Sequence, residues 1–224
     1  MACNGSFHIS TIRKKQGVAI TGLALVGFVL AHLSGNLLIF KGPEALNEYA
    51  KFLASLGPVL WGMRIGLLAA FVAHIVLIAG LVIDNKRARP KNYEVKADHY
   101  KGANQLGVKS MRYTGALILF YIFFHLADFT FAAHHGPTTM IDGVELGLYG
   151  LVVNTLKNPV HAGFYILIMI SLGLHLSHSL QSVFQTFGWQ SKSSRGWMSQ
   201  VSAIIGLAIA LGYSSIPIYI LTCL

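Results

Sequence analysis

Carboxylates are scarce in this 224-residue chain, with eight Asp and Glu against 17 Lys and Arg. Only Asp128 falls inside a long apolar stretch, which argues against a transporter path built from several intramembrane carboxylates. Cysteine is scarcer still. Cys3 and Cys223 stand at opposite ends of the chain, so a disulfide is not expected, and two thiols do not hold an iron–sulfur cluster, which takes about four. No C-x-x-C-H motif occurs, which excludes covalent haem attachment. Charge of either sign is missing altogether from residues 16–40, 65–83, 158–191 and 196–224, and 113–133 carries only Asp128.

What fills those stretches is apolar. The chain is 54% hydrophobic and 11% charged, with the charges gathered in short intervals instead of spread along amphipathic faces, the pattern of an integral membrane protein. A helix needs about 20 apolar residues to cross the hydrocarbon core. The sequence therefore predicts an all-α bundle in one domain, 1–224, with five transmembrane helices at 17–40, 59–83, 112–133, 160–186 and 197–220. The first segment follows basic residues as a signal peptide would, but it is too long and lacks a small-residue cleavage site, so it is expected to remain as a helix.

The basic residues give an orientation. Arg13, Lys14 and Lys15 precede the first helix, eight cations from Lys86 to Arg112 lie between the second and third, and Lys192 and Arg195 lie between the fourth and fifth. Only Lys41, Lys51, Arg64 and Lys157 fall on the other side. Thirteen against four places the N-terminus and those loops in the cytoplasm. The net charge of +9 is thus an orientation signal and not a nucleic-acid footprint.

Four histidines, His32, His74, His125 and His175, each lie deep in a different apolar segment. An ionisable group in hydrocarbon is costly and usually has a partner or a function, and neutral imidazole is the natural axial ligand of haem iron. One histidine per helix predicts two bis-histidine haems b, six-coordinate and therefore electron carriers. Depth sorts them. His32 precedes Lys41, and His125 precedes His134, by nine residues on outward helices, about 14 Å inside the flank. They share an outer haem. His74 precedes Asp84, and His175 precedes Gln185, by ten on inward helices, and share an inner haem. Thr21-Gly22 and Thr114-Gly115 precede His32 and His125 by the same interval, an echo that strengthens the outer pair, with glycine allowing close approach of a porphyrin. His178 competes with His175 as ligand; His175 is preferred, with His178 as a supporting donor or propionate contact. His8, His99, His134, His135 and His161 are read as solvated or interfacial.

Cations near helix ends are expected to meet haem propionates: Arg112 for the inner haem and Arg64 for the outer one. Asn36, Trp61 and Asp128 are the candidate quinone-site residues near the outer haem. Asp128 lies three residues after His125, on the same helix face. It either assists quinone protonation or reaches interfacial water.

The run Ala31-His32-Leu33-Ser34-Gly35-Asn36-Leu37-Leu38-Ile39-Phe40, followed by Gly42-Pro43-Glu44-Ala45-Leu46-Asn47-Glu48-Tyr49-Ala50, resembles the cytochrome b558-type membrane subunit of succinate dehydrogenase and fumarate reductase. So do Arg64-Ile65-Gly66-Leu67 leading to His74, Arg112-Tyr113-Thr114-Gly115 leading to His125, and His175-Leu176-Ser177-His178-Ser179-Leu180-Gln181-Ser182. The resemblance runs from about residue 13 to 190. It implies a five-helix, two-haem anchor in a bacterial-type cell inner membrane. Its cytoplasmic face would dock an iron–sulfur subunit carrying a flavoprotein with covalent FAD, and its quinone would be menaquinone. Dicarboxylate chemistry belongs to the partner; electron transfer and quinone chemistry belong to this chain.

One position departs from the family. A fumarate reductase branch has a proton-path glutamate two residues before the fourth-helix ligand, where this chain has Gly173, a tilt towards succinate oxidation. Two other readings use membrane histidines. A hydrogenase or formate dehydrogenase cytochrome b would pair with an outward-facing catalytic subunit, against which the cation-rich 84–112 loop argues. A non-haem histidine-path transporter would need more carboxylates.

Overall fold

The computed structural model describes residues 10–88, 104–132 and 136–224. Cys3, His8, His99, His134, His135 and the cations of the second loop from Arg89 to Lys101 lie outside the described residues. The elements run α1 (Thr11–Asn36), continued by a 3-10 turn at Leu37–Lys41, then α2 (Pro43–Ser55), α3 (Pro58–Arg87), α4 (Asn104–Phe129), β1 (Met140–Ile141), β2 (Val144–Glu145), α5 (Gly147–Leu156), α6 (Pro159–Thr186) and α7 (Arg195–Cys223). Among the described residues five helices, α1 with its 3-10 extension, α3, α4 from Ser110, α6 and α7, are long and apolar enough to cross a membrane. The protein is an all-α, five-span membrane protein.

Capping, more than hydropathy, decides where these helices begin and end. Ser10 accepts a hydrogen bond from the Arg13 amide at 3.4 Å, so α1 starts at Thr11, six residues before the predicted 17, and draws the basic triplet into its first turns. There Lys14 Nζ donates to Asp84 Oδ2 on α3 at 2.7 Å. Proline opens α2, α3 and α6 at Pro43, Pro58 and Pro159, where its missing amide proton costs nothing. Asn158 Oδ1 caps α6 by accepting from the Val160 and His161 amides. α4 begins at Asn104 rather than 112 and stops at Phe129 rather than 133. The Thr130 and Phe131 amides both turn back to the Leu126 carbonyl, each at 2.9 Å, which closes the last turn.

Two helices and a hairpin were not foreseen, because none is long enough to span. α2, α5 and the hairpin gather at the end of the bundle away from the N-terminus. Asp142 and Gly143 both adopt positive φ, 50° and 80°, and this Asp-Gly turn joins Ile141 to Val144 in a two-stranded ribbon. Asn47 of α2 clamps the start of α5, donating to the Leu146 carbonyl at 2.8 Å and accepting from the Tyr149 amide at 3.2 Å. One side chain so satisfies an orphan donor that α5 has no cap of its own to meet.

α6 and α7 form the most intimate helix pair, α3 lies on α1, α4 lies on α6, and α1 touches α6 and α7. Ile39, Leu46, Tyr149, Val153, Tyr165 and Ile220 make the core at the α2–α5 end, and Val26, Leu176, Leu180 and Ile209 fill the middle. The outer surface is apolar: Leu68, Phe123 and Leu207 are 62%, 66% and 60% exposed. Such a surface belongs in lipid. α3 has no fully buried residue along its 30 positions; among the described residues it packs chiefly on α1.

Candidate functional site

The four deep histidines are divided among α1, α3, α4 and α6, and each is half-buried. His32 of α1 and His125 of α4 bring their rings to a centroid separation of 5.8 Å, nearly perpendicular at 85°. Aromatic side chains collar them. Phe28, one turn before His32, stacks on it at 5.2 Å, and Phe129, one turn after His125, lies 5.2 Å from that ring. Tyr213 of α7 stands 6.2 Å from His32 and is anchored by donating to the Val29 carbonyl at 2.8 Å. Tyr121 Oη is 3.3 Å from His125 Nδ1.

His74 lies on α3 and His175 on α6. Each is held from a neighbouring helix. Thr21 Oγ1 of α1 lies 3.0 Å from His74 Nδ1, and Thr114 Oγ1 of α4 lies 3.2 Å from His175 Nδ1. A Cβ on Gly22 would meet His74 Cε1 at 3.3 Å, and one on Gly115 would meet His175 Cε1 at 3.4 Å. The Thr-Gly echo therefore serves the second histidine pair and not the first. It cradles imidazoles, where the sequence had suggested room for a porphyrin. The reason is tertiary: Thr21 faces α3 and Thr114 faces α6.

Two features make these pairs suitable for a haem iron. Among the described residues, α1 and α4 are not a closely packed pair, and neither are α3 and α6, so His32 and His125 face each other across a gap and not across a helix seam. Metal–imidazole bonds of about 2 Å put two ligating rings about 6 Å apart, which the 5.8 Å of His32 and His125 matches. Among the described residues no group of three or more His, Cys, Asp or Glu side chains is arranged for a bare metal ion. A pair of imidazoles suits an iron whose other positions are filled by a macrocycle. His178 adds an orphaned polar atom: its Nδ1 is buried with no hydrogen-bond partner, as expected of a group awaiting one.

The other sequence candidates are placed less centrally. Arg64 lays its guanidinium over the Trp61 ring at 5.2 Å, and Trp61 is 62% exposed. The pair forms an edge at the start of α3. Asn36 spends its amide on the His32 carbonyl at 2.6 Å within α1. Arg112 is exposed, two residues before Thr114.

Asp128 does acquire partners. Tyr165 Oη donates to Asp128 Oδ2 at 2.6 Å, His161 Nε2 lies 2.8 Å from the same oxygen, and the His161 and Tyr165 rings stack at 5.1 Å. Tyr165 also meets Tyr121 edge-on at 5.1 Å, linking the cluster to His125. The sequence reading placed His161 at a solvated helix end and did not single out Tyr165. Their spacing of four residues on α6 was the available signal. A cleft of about 410 Å³ opens beside His161, walled by Phe120, Phe124, Val160 and Phe164 with Asn158 at its edge.

No protein-family model matches the chain, and no solved structure matches it. Among curated proteins it is similar to the succinate dehydrogenase cytochrome b558 subunit of Bacillus subtilis (strain 168), with 28% identity over 189 residues that cover 84% of this chain and 83% of the relative. Five apolar spans, four histidines shared among four of them and that likeness agree with the words read around the histidines in the sequence. The chain is a membrane protein similar along most of its length to the cytochrome b558 anchor family of succinate dehydrogenase.

Proposed function

We propose that the chain is a dihaem cytochrome b anchor of a succinate:quinone oxidoreductase, in one domain spanning 1–224. The approach of His32 to His125 across an unpacked helix gap carries the reading. His32 and His125 would hold the outer haem, His74 and His175 the inner one. Two haems b held there would supply a one-electron relay between the iron–sulfur clusters of a cytoplasmic partner, which carries the FAD flavoprotein, and a quinone.

The chain's own residues set the conditions. The histidine pairs would hold the two haems, which would supply one-electron transfer and not oxygen binding. Arg112 and the orphaned His178 Nδ1 are suited to the inner propionates. Arg64 is suited to the outer ones. The charge asymmetry supports a cytoplasmic N-terminus and a docking face made by the loop after α3.

The quinone, menaquinone by family likeness, fits the aromatic cleft beside His161. Asp128, bridged to Tyr165 and His161, is suited to hold or accept its proton. Gly173 in place of a carboxylate supports succinate oxidation as the working direction.

An optical spectrum of the purified complex, reduced against oxidised, tests the reading. Two low-spin b-type components are expected. Absence of b-type bands would overturn it.

A further inference from the structure

Each histidine of the α3–α6 pair has its Nδ1 within hydrogen-bond reach of a threonine hydroxyl on a neighbouring helix, and proton bookkeeping decides the direction. A hydroxyl has one proton. Thr21 Oγ1 lies within donating distance of the Gly17 and Val18 carbonyls, at 2.8 and 3.2 Å, and Thr114 Oγ1 within donating distance of the Ser110 and Met111 carbonyls, at 3.1 and 3.2 Å. These are bonds to the preceding helical turn, which threonine commonly makes. The hydroxyl can then only accept from the imidazole. That arrangement puts the proton of His74 and of His175 on Nδ1. The free lone pair is left on Nε2.

We infer that Thr21 and Thr114 are positioning residues that fix His74 and His175 as Nδ1–H tautomers, with Nε2 presented as the ligating nitrogen. The inference rests on the haem reading above. A hydrogen bond on the far nitrogen sets both the ring's rotation and its basicity as a ligand. Gly22 and Gly115 lie against the same rings: an alanine Cβ on Gly22 would come to 3.3 Å from His74 Cε1, so that the ring would have to give by a few tenths of an ångström, and one on Gly115 to 3.4 Å from His175 Cε1, at the edge of ordinary contact. The arrangement occurs twice, α1 serving α3 and α4 serving α6, with His32 eleven residues after Thr21 and His125 eleven after Thr114. Each two-helix unit so supplies one ligand to each histidine pair and tunes its own second-helix ligand.

The outer pair is built differently. His125 has a tyrosine, Tyr121, at Nδ1, and His32 lies flat against Phe28. Loss of the threonine hydroxyls should therefore affect one haem and leave the other.

The test uses the intact complex carrying Thr21→Val, Thr114→Val or the double substitution, with Thr21→Ser and Thr114→Ser as conservative controls. Redox titration followed optically, with low-temperature EPR of the oxidised state, reads each haem separately. The valine variants should raise the inner haem's midpoint potential and shift its low-spin signal, because a ligand without an acceptor at Nδ1 donates less to ferric iron. Serine should restore both, and the outer haem should stay as in the wild type. Unchanged potential and signal in the double valine variant would overturn the inference, as would loss of the inner haem in the serine variants. Absence of low-spin haem from the wild-type complex would instead overturn the haem reading itself.

Discussion

Gly173 and Gly206 face each other where α6 crosses α7, close enough that a Cβ on Gly173 would meet the Gly206 carbonyl oxygen at 2.6 Å and the Ala210 Cβ at 2.7 Å. Small residues let apolar helices approach to backbone contact in a membrane, where packing and not water drives association. The absent carboxylate at position 173 thus has a structural cause: this face of α6 is committed to α7. Gly173→Glu should separate the two helices, an overpacking cost of about 1–3 kcal/mol before the buried charge is counted. The amount of intact anchor recovered from membranes, compared with Gly163→Ala as a control at an open position, checks it. Normal yield with the glutamate in place would refute the tight seam.

The histidine pairing predicts a grouped phenotype. His32→Ala and His125→Ala should each remove the same haem, and His74→Ala and His175→Ala the other, since loss of either axial ligand opens the iron. His178→Ala should leave both irons low-spin while moving one potential. Redox-resolved spectra of the five single variants decide the grouping. A shared phenotype for His32 and His175 would sink it.

Arg112→Leu should lower the occupancy or shift the potential of the inner haem and leave the outer haem unchanged, because a propionate would lose its cation. An unaltered redox titration would show that Arg112 touches neither propionate.

Orientation is open to direct chemistry. Lys91 and Lys101 should react only with a reagent applied from the cytoplasmic side of intact membranes, and crosslinkers placed on them should capture the iron–sulfur partner. Labelling from the outer side alone would invert the topology and remove the docking face with it.

Asp128→Asn and Tyr165→Phe should slow quinone turnover while both haems are retained. General acid–base groups typically contribute about 100-fold or more. The measurement is quinone-dependent turnover beside the haem spectrum. Wild-type turnover in both variants would return Asp128 to a helix-end residue solvated at the interface.

Why some of this was legible in the residues alone follows from distance along the chain. Span number depends on runs of local hydropathy, and position along a helix depends only on a fixed rise per residue. The four intramembrane histidines stood out for the same reason. α2 and α5 are not legible in this way, because at 13 and 10 residues neither reaches membrane length. The Asp142-Gly143 turn was a local signal of the hairpin that went unread.

Rotation about each helix axis is another matter, because hydropathy that is apolar all round says nothing about which face meets which neighbour. Thr21 and His32 share α1 but address different partners, α3 and α4. Asp128 found His161 and Tyr165 across 33 and 37 residues of chain, a meeting set by the way α4 lies on α6. Composition and spacing were sufficient for a helical protein with five membrane-length helices. The contacts that give Nδ1 of His74 and His175 their threonines, and Gly173 its glycine partner, came from helix packing, since only packing assigns a face.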